Sequence, residues 1–313
     1  MEYRNLGNSG LKVSAVGLGC NNFGMRNDAE QTRAIVHRSL DEGITLFDTA
    51  DIYGNRGASE EMLGKALGER RRDAVVATKF GMAMGDGPYL RGGSRRYIMS
   101  AAEASLKRLG TDYIDLYQIH QPDPETPQQE TLEALNDLVR SGKVRYIGSS
   151  NFAAWQAVDA HWISRANGLA SYVSAQNQYN LLDRRIEREL VPACRQFGVG
   201  ILPYFPLASG FLTGKYRRGA EPPKGTRLSL IKRMADQTLT DENFAKLERL
   251  DKFARDHNHT LLELAVGWLA SQPQVSSVIS GATSPEQVTE NVKAGNWKLT
   301  SEELAEVDKL TRH

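Results

Sequence analysis

Three short apolar runs in this chain each finish on an ionisable side chain. Thr45 to Asp48 ends in a carboxylate, Ala74 to Lys79 in an ammonium, and Tyr113 to His120 in an imidazole. Five residues beyond Asp48 stands a phenol, Tyr53. A free phenol titrates near pH ~10 and gives up its proton reluctantly at neutral pH. A neighbouring ammonium stabilises the phenolate and makes that proton easier to release. A buried ammonium in turn needs a counter-charge, for which Asp48 is the obvious source. The four groups therefore make a proton-donating site if the fold brings them together. Taken singly each has a plainer reading: an Asx turn at Asp48, a half-buried aromatic at Tyr53, a surface Lys79, a satisfied core His120. All four at strand ends, or in the loops just after them, favour catalysis.

The elements that must position them follow from periodicity. Short β-branched runs alternate with amphipathic segments, the pattern of repeated strand-helix units. Eight strands are expected. Besides the three above they are Ala15 to Leu18, Val144 to Ser149, Ser174 to Gln178, Gly200 to Pro203 and Val275 to Ile279. Eight helices are expected between and after them: Ala29 to Asp41, Ser59 to Leu67, Arg96 to Leu109, Gln128 to Arg140, Ala153 to Arg165, Arg188 to Phe197, Leu261 to Ser271 and Pro285 to Val292. Gly43, Gly68, Gly110 and Gly142 sit where left-handed C-terminal residues belong. Ser284-Pro285-Glu286-Gln287 reads as a capped helix start.

Eight such units in one domain over residues 1–313 predict an α/β fold, a closed (β/α)8 TIM barrel, whose strand ends share one rim. Leu6 to Leu11 predicts an N-terminal β-hairpin plugging the barrel floor, and Ser301 to Leu310 an additional C-terminal helix. Pro206 to Thr240 is too long for a plain connection and is expected to be a functional loop or lid. The alternative, an open doubly wound sheet, is disfavoured because Gly17 to Gly24 does not spell G-x-G-x-x-G.

Lys and Arg total 39 against 38 Asp and Glu. That balance gives no reason to seek nucleic acid or an anionic membrane. Hydrophobic residues make up 40% and charged residues 25%, ordinary globular usage that excludes a disordered or fibrous chain. Cys20 and Cys194 form neither a disulfide framework nor a metal-ligand spacing, so no metal is expected and a reducing cytoplasm fits. No export signal and no membrane-length run is apparent. Oligomeric state is not encoded in any motif.

Several separated motifs, in order, resemble the aldo-keto reductases of the bacterial, NADP-dependent type. They are Phe47-Asp48-Thr49-Ala50-Asp51-Ile52-Tyr53-Gly54 with Glu60 or Glu61 behind it, Thr78-Lys79, Gln118-Ile119-His120, Gly148-Ser149-Ser150-Asn151-Phe152, Tyr204 to Tyr216, and Gly281 to Asn291. The resemblance covers nearly the whole chain. It implies an oxidoreductase that reduces an aldehyde or ketone to an alcohol with hydride from NADPH, NADH being possible. Asp48, Tyr53, Lys79 and His120 are the implied catalytic tetrad, with Tyr53 as general acid. The resemblance also implies a cofactor set: Ser150, Asn151 and Gln176 at the nicotinamide carboxamide, and Tyr204 stacked on the ring. Pro206, Leu207, Ser209 and Gly210 approach the pyrophosphate, and Gly281, Thr283, Gln287 and Asn291 the adenosine.

The chain departs from the pattern in places. Many relatives carry basic residues where Gly281 and Gln287 stand, which leaves cofactor preference open between NADP and NAD. Lys215, Arg217, Arg218 and Arg227 are candidates to supply the charge. Asn21 and Gln121 replace tryptophans of several relatives and, with Phe23, are expected to line the substrate pocket. Unpaired amides there favour a polar, hydroxylated carbonyl substrate over an aliphatic one. Phe205 replaces a common serine. Two other functions compete: a cofactor-binding regulatory subunit similar to the potassium-channel β subunits, and an unrelated barrel enzyme using Lys79 as a Schiff-base nucleophile.

Overall fold

The structure is a computed structural model and describes residues 1–311. An antiparallel hairpin, β1 (Tyr3–Asn5) and β2 (Lys12–Ser14), precedes the barrel. Then come β3 (Val16–Gly19), α1 (Ala29–Asp41), β4 (Leu46–Asp48), α2 (Tyr53–Leu67), β5 (Val75–Phe80) and α3 (Arg95–Leu109). They are followed by β6 (Ile114–Ile119), α4 (Gln128–Arg140), β7 (Val144–Ser150), α5 (Ala154–Asn167), β8 (Tyr172–Gln176), α6 (Leu190–Phe197) and β9 (Gly200–Ile201). A helical stretch, α7 (Arg227–Leu230), α8 (Lys232–Thr238), α9 (Asp241–Asp256) and α10 (Leu261–Ala270), leads to β10 (Val278–Gly281), α11 (Pro285–Ala294) and α12 (Ser301–Thr311).

The eight strands from β3 to β10 are parallel; from β3 to β9 each pairs with the next in the chain, and β10 pairs back with β3. The ring closes through Ile201, which bridges Val275 and exchanges hydrogen bonds with Gln274 and Ser276. This is the expected (β/α)8 barrel with its N-terminal hairpin. That hairpin seals the floor: Leu6 and Val13 have no exposed surface and pack inside against Leu46, Ala77, Leu116, Leu202 and Ile279. Each such Leu, Ile or Val side chain contributes roughly 1.5–3 kcal/mol by leaving water.

Three expectations need correction. Asp241–Asp256 was not expected as a helix, yet it is the longest one among the described residues. Its signals are in the sequence: Thr240 caps Asn243 N, and Phe244, Leu247, Leu250 and Phe253 make one apolar face. Pro206 to Thr240, expected to be more than a plain connection, has regular structure of its own. It folds into a 3₁₀ stretch at Ala208–Thr213 followed by α7 and α8. Second, β8 begins and ends two residues earlier than expected, although Gln178 still forms a parallel bridge to Tyr204. Third, the last strand starts later than expected, at Val278 rather than Val275.

Candidate active site

Register alone gathers a polar layer at the C-terminal rim. In a parallel sheet, paired residues and those two positions away share a face. Asp48 pairs with Ala77, so Lys79 lies on the same side; Lys79 pairs with Gln118, which puts His120 there too. Gln118 pairs with Gly148, carrying Ser150 along, and Ser150 pairs with Gln176. One step lower on that face lie Leu46, Ala77 and Leu116, members of the lumen core. The barrel interior is therefore apolar at its floor and polar at its rim.

Within that layer Lys79 Nζ donates to Asp48 Oδ2 at 2.6 Å and to Thr49 O at 2.9 Å, and Lys79 is completely buried. Asp48 Oδ1 accepts from Gln176 Nε2 at 2.8 Å and from Gln118 Nε2 at 3.2 Å. The carboxylate is thus held from three sides. Lys79 Nζ also stands 5.0 Å from the centre of the Tyr53 ring, and the Tyr53 ring meets the His120 ring edge-on at 5.6 Å between centroids. All four expected catalytic residues are together.

Their ionisation follows from burial and charge. Burial pushes the Tyr53 phenol up and the Lys79 charge pulls it down; burial prevails, so Tyr53 carries its proton at neutral pH. The ammonium does ease deprotonation, as the sequence suggests, without outweighing desolvation. For Lys79 burial works against the charge, but Asp48 and then Tyr53 outweigh it and the group stays an ammonium. His120 is pushed down to about 3, first by burial and then by Lys79. Its ring is neutral, and its buried Nδ1 has no hydrogen-bond partner.

Behind Tyr53 the backbone is unusual. Gly54, Asn55, Arg56 and Gly57 all have positive φ (67°, 58°, 71° and 128°), so the expected helix starts properly only after a left-handed turn. At non-glycine positions such backbone costs roughly 1–2 kcal/mol per residue. A Cβ on Gly54 would come within 2.6 Å of Ser59 N and 2.7 Å of Phe23 O, which fixes glycine there.

The expected cofactor residues border the tetrad. Asn151 Nδ2 donates to His120 O at 2.9 Å, and Asn151 Oδ1 accepts from the Tyr204 hydroxyl at 2.7 Å. Ser150 Oγ donates to Gln176 O. The stretch from Phe205 to Gly210 has positive φ at Phe205, Ala208, Ser209 and Gly210, left-handed backbone of the kind found in anion-binding concavities. A Cβ on Gly210 would lie 2.9 Å from Lys215 Nζ, and the Arg227 guanidinium lies 5.3 Å from the Phe205 ring centre. Burial, followed by the charge of Arg26, lowers the pKa of both Lys215 and Arg227. None of Arg26, Lys215 and Arg227 has an ion-pair partner among the described residues. Arg217 lines a cleft against α9 together with Arg218, which pairs with Asp241 and Glu248, so the Arg218 charge is already engaged.

Ser284 caps α11 as expected, but Gln287 turns its side chain to Thr283 N rather than closing a capping box. Asn291 Nδ2 donates to Gly281 O at 3.3 Å. Asn21 Oδ1 would stand 3.9 Å from a Cβ on Gly281, so Asn21 lies beside the end of β10. Gln121 is exposed just beyond His120. Phe23 is corrected: it has no exposed surface and packs in the core with Leu18 and Cys20, backing the wall rather than lining a pocket.

Sequence reasoning quoted Gln118 within a motif but gave it no role; its position opposite Lys79 and two residues before His120 was the available signal. Arg26 was not anticipated, and a lone arginine in a loop gives no signal. Its guanidinium donates to Gly225 O at 2.7 Å, tying the β3–α1 loop to the segment before α7. Among the described residues no group of three or more His, Cys, Asp or Glu side chains is placed to hold a metal ion. No helix there is long and apolar enough to cross a membrane.

Comparison with known proteins gives a consistent answer. Residues 15–312 match the Aldo/keto reductase family. A probable voltage-gated potassium channel subunit beta of Arabidopsis thaliana is 40% identical over 94% of this chain and 91% of its own. L-glyceraldehyde 3-phosphate reductase of Escherichia coli (strain K12) is 36% identical over 98% and 92%, and versiconal hemiacetal acetate reductase of Aspergillus parasiticus 36% over 97% and 95%. With the barrel, the Asp48–Lys79 pair and the Tyr53–His120 contact already in place, these matches settle the kinship: the chain belongs to the aldo/keto reductase family of oxidoreductases.

Proposed function

We propose that this protein reduces an aldehyde or ketone to the alcohol with NADPH, Tyr53 donating the proton. The observation that carries the reading is the buried Lys79–Asp48 pair, 2.6 Å apart, set against the Tyr53 ring. Reduction places a hydride on the carbonyl carbon and a proton on its oxygen. The nicotinamide supplies the hydride when bound. Tyr53 supplies the proton, and Lys79 stabilises the phenolate left behind, its own charge balanced by Asp48. His120, neutral, donates a hydrogen bond that orients the carbonyl oxygen. Water then returns the proton to Tyr53.

The residues fit a dinucleotide. The left-handed turns from Phe205 to Gly210 offer backbone amides to a pyrophosphate, and Pro206, Leu207 and Ser209 shape that cradle. Ser150, Asn151 and Gln176 hold the carboxamide, with Tyr204 against the ring; Asn151 must loosen its bond to Tyr204 to do so. Thr283, Gln287 and Asn291 face the adenosine, next to Gly281. Lys215, Arg227 and Arg26, without ion-pair partners among the described residues and with Arg26 repelling the other two, favour the extra phosphate of NADPH over NADH. Asn21 and Gln121 favour a hydroxylated carbonyl substrate. The balanced charge and reduced cysteines fit the cytoplasm.

A second reading has specific support, because the potassium-channel-related plant sequence is more similar than the two reductases named above. On that reading the barrel holds the nicotinamide as a regulatory subunit and turns over slowly. A panel of aliphatic, aromatic and polyhydroxylated carbonyls, followed by loss of NADPH absorbance, tests both. Turnover of at least one compound at ordinary enzymatic rates supports the reductase; tight NADPH binding without turnover of any supports the subunit.

A further inference from the structure

Buried beneath the Tyr53 turn is a second charged cluster that the tetrad does not use. Glu60, on α2, has no exposed surface. Its Oε1 accepts from Thr78 Oγ1 at 2.5 Å, and Thr78 is the residue before Lys79. Its Oε2 accepts from Arg108 Nε at 2.6 Å, reaching in from α3. Asp51, two residues before Tyr53, is 1% exposed. It accepts from the Tyr97 hydroxyl at 3.2 Å, its Oδ1 has no partner, and its backbone N–H donates to Lys79 O. Burial, followed by the charge of Glu60, pushes Asp51 up to about 7. Tyr117 and Tyr97 also feel both acids and Arg108.

Arg108 does two things at once. Its guanidinium neutralises Glu60 and offsets Asp51, while its stem presses on the turn: a Cβ on Gly57 would sit 2.6 Å from Arg108 Cδ. The turn it presses is the strained left-handed segment Gly54–Gly57, which persists only where surrounding structure holds it. Arg108, Glu60 and Thr78 therefore form a chain from α3 through α2 to β5 that ends next to Lys79.

We propose that Arg108 is a positioning residue, holding the Tyr53 turn against Lys79 by neutralising the buried acids Glu60 and Asp51 and packing on Gly57. This rests on the reading of Tyr53 as proton donor. Without Arg108, two carboxyl groups remain in a low-dielectric site, and the cheapest relief is for the turn to open toward water, carrying Tyr53 away from Lys79. Arg108 is 18% exposed at its side chain, so its removal opens the site to solvent rather than leaving a sealed void.

The test compares wild type, Arg108→Gln, Arg108→Lys and Tyr53→Phe, with NADPH and 4-nitrobenzaldehyde as the probe pair, across about pH 6 to 8.5. Folding is followed by thermal melts and NADPH binding by quenching of tryptophan fluorescence. Arg108→Gln is expected to lower kcat by at least about tenfold near pH 8, with NADPH Kd changed less than about threefold. The deficit should shrink toward pH 6 as Asp51 takes up a proton, and Arg108→Lys should recover part of kcat. A general structural defect would instead be independent of pH and would move kcat and Kd together. A folded Arg108→Gln with wild-type kcat, or a pH-independent loss that Arg108→Lys does not rescue, overturns the proposal. If Arg108→Gln does not fold, Arg108→Lys decides: a kcat deficit that narrows at lower pH supports the role, and wild-type kcat overturns it. Full activity in Tyr53→Phe overturns the acid assignment itself, whereas an inactive Tyr53→Phe beside a fully active Arg108→Gln overturns the positioning role alone.

Discussion

Lys79 and Asp48 meet at 2.6 Å inside the rim of the barrel, with side chains 0% and 5% exposed. They come from neighbouring strands, 31 residues apart in the chain. A buried pair of this kind adds little net stability over an apolar pair, but breaking it from one side is costly.

Lys79→Met should therefore destabilise the protein by about 3–5 kcal/mol, because the Asp48 charge is left buried without its partner. Adding Asp48→Asn to that variant should recover much of the loss. Denaturant unfolding of both singles and the double closes the cycle; additive losses would show that the pair is not coupled.

The basic residues near the cofactor cradle predict a selective effect. Lys215→Gln combined with Arg227→Gln should raise KM for NADPH by roughly 10- to 100-fold, the worth of lost hydrogen bonds to a charged group, while KM for NADH moves little. Equal losses for both cofactors would mean that these side chains serve the shared pyrophosphate, and a wild type preferring NADH would remove the NADPH assignment.

Much of the fold was legible because β-strand and helix periods alternate cleanly, and the tetrad because three strands end on ionisable groups. Asp48, Lys79 and His120 needed only strand register to be placed together. What escaped was less local. Helix α9 followed directly on a segment already read as a lid, so its apolar face at Phe244, Leu247 and Leu250 was passed over. The left-handed turn after Tyr53 carries two non-glycine residues, Asn55 and Arg56, whose positive φ no propensity announces. The Phe23 expectation failed because a residue in a rim loop can point either way. The acids beneath the turn were legible as residues, but their burial depends on helix-to-helix packing that no motif encodes.

The folded-state pKa of Asp51, raised from 3.8 to about 7, predicts a pH dependence of stability. Across that window the folded chain holds a proton that the unfolded chain has lost, so stability is full below 3.8 and declines as pH rises to about 7. The most it can amount to is roughly 4 kcal/mol. His120 runs the other way: its depressed pKa contributes stability present above 6.5 that is lost as pH falls through about 3. Asp51→Asn should flatten the decline between about pH 5 and 8, measured by denaturant titration. An unchanged slope in that variant contradicts the burial argument.

The central claim is that the Tyr53 hydroxyl gives the carbonyl its proton, with Lys79 beside it. Single-turnover reduction by NADPH-loaded Tyr53→Phe measures this most directly. The expected result is a rate lower by about 10²- to 10⁴-fold, with NADPH affinity within about twofold of wild type. Reduction at the wild-type rate by the folded, NADPH-bound Phe variant would contradict it.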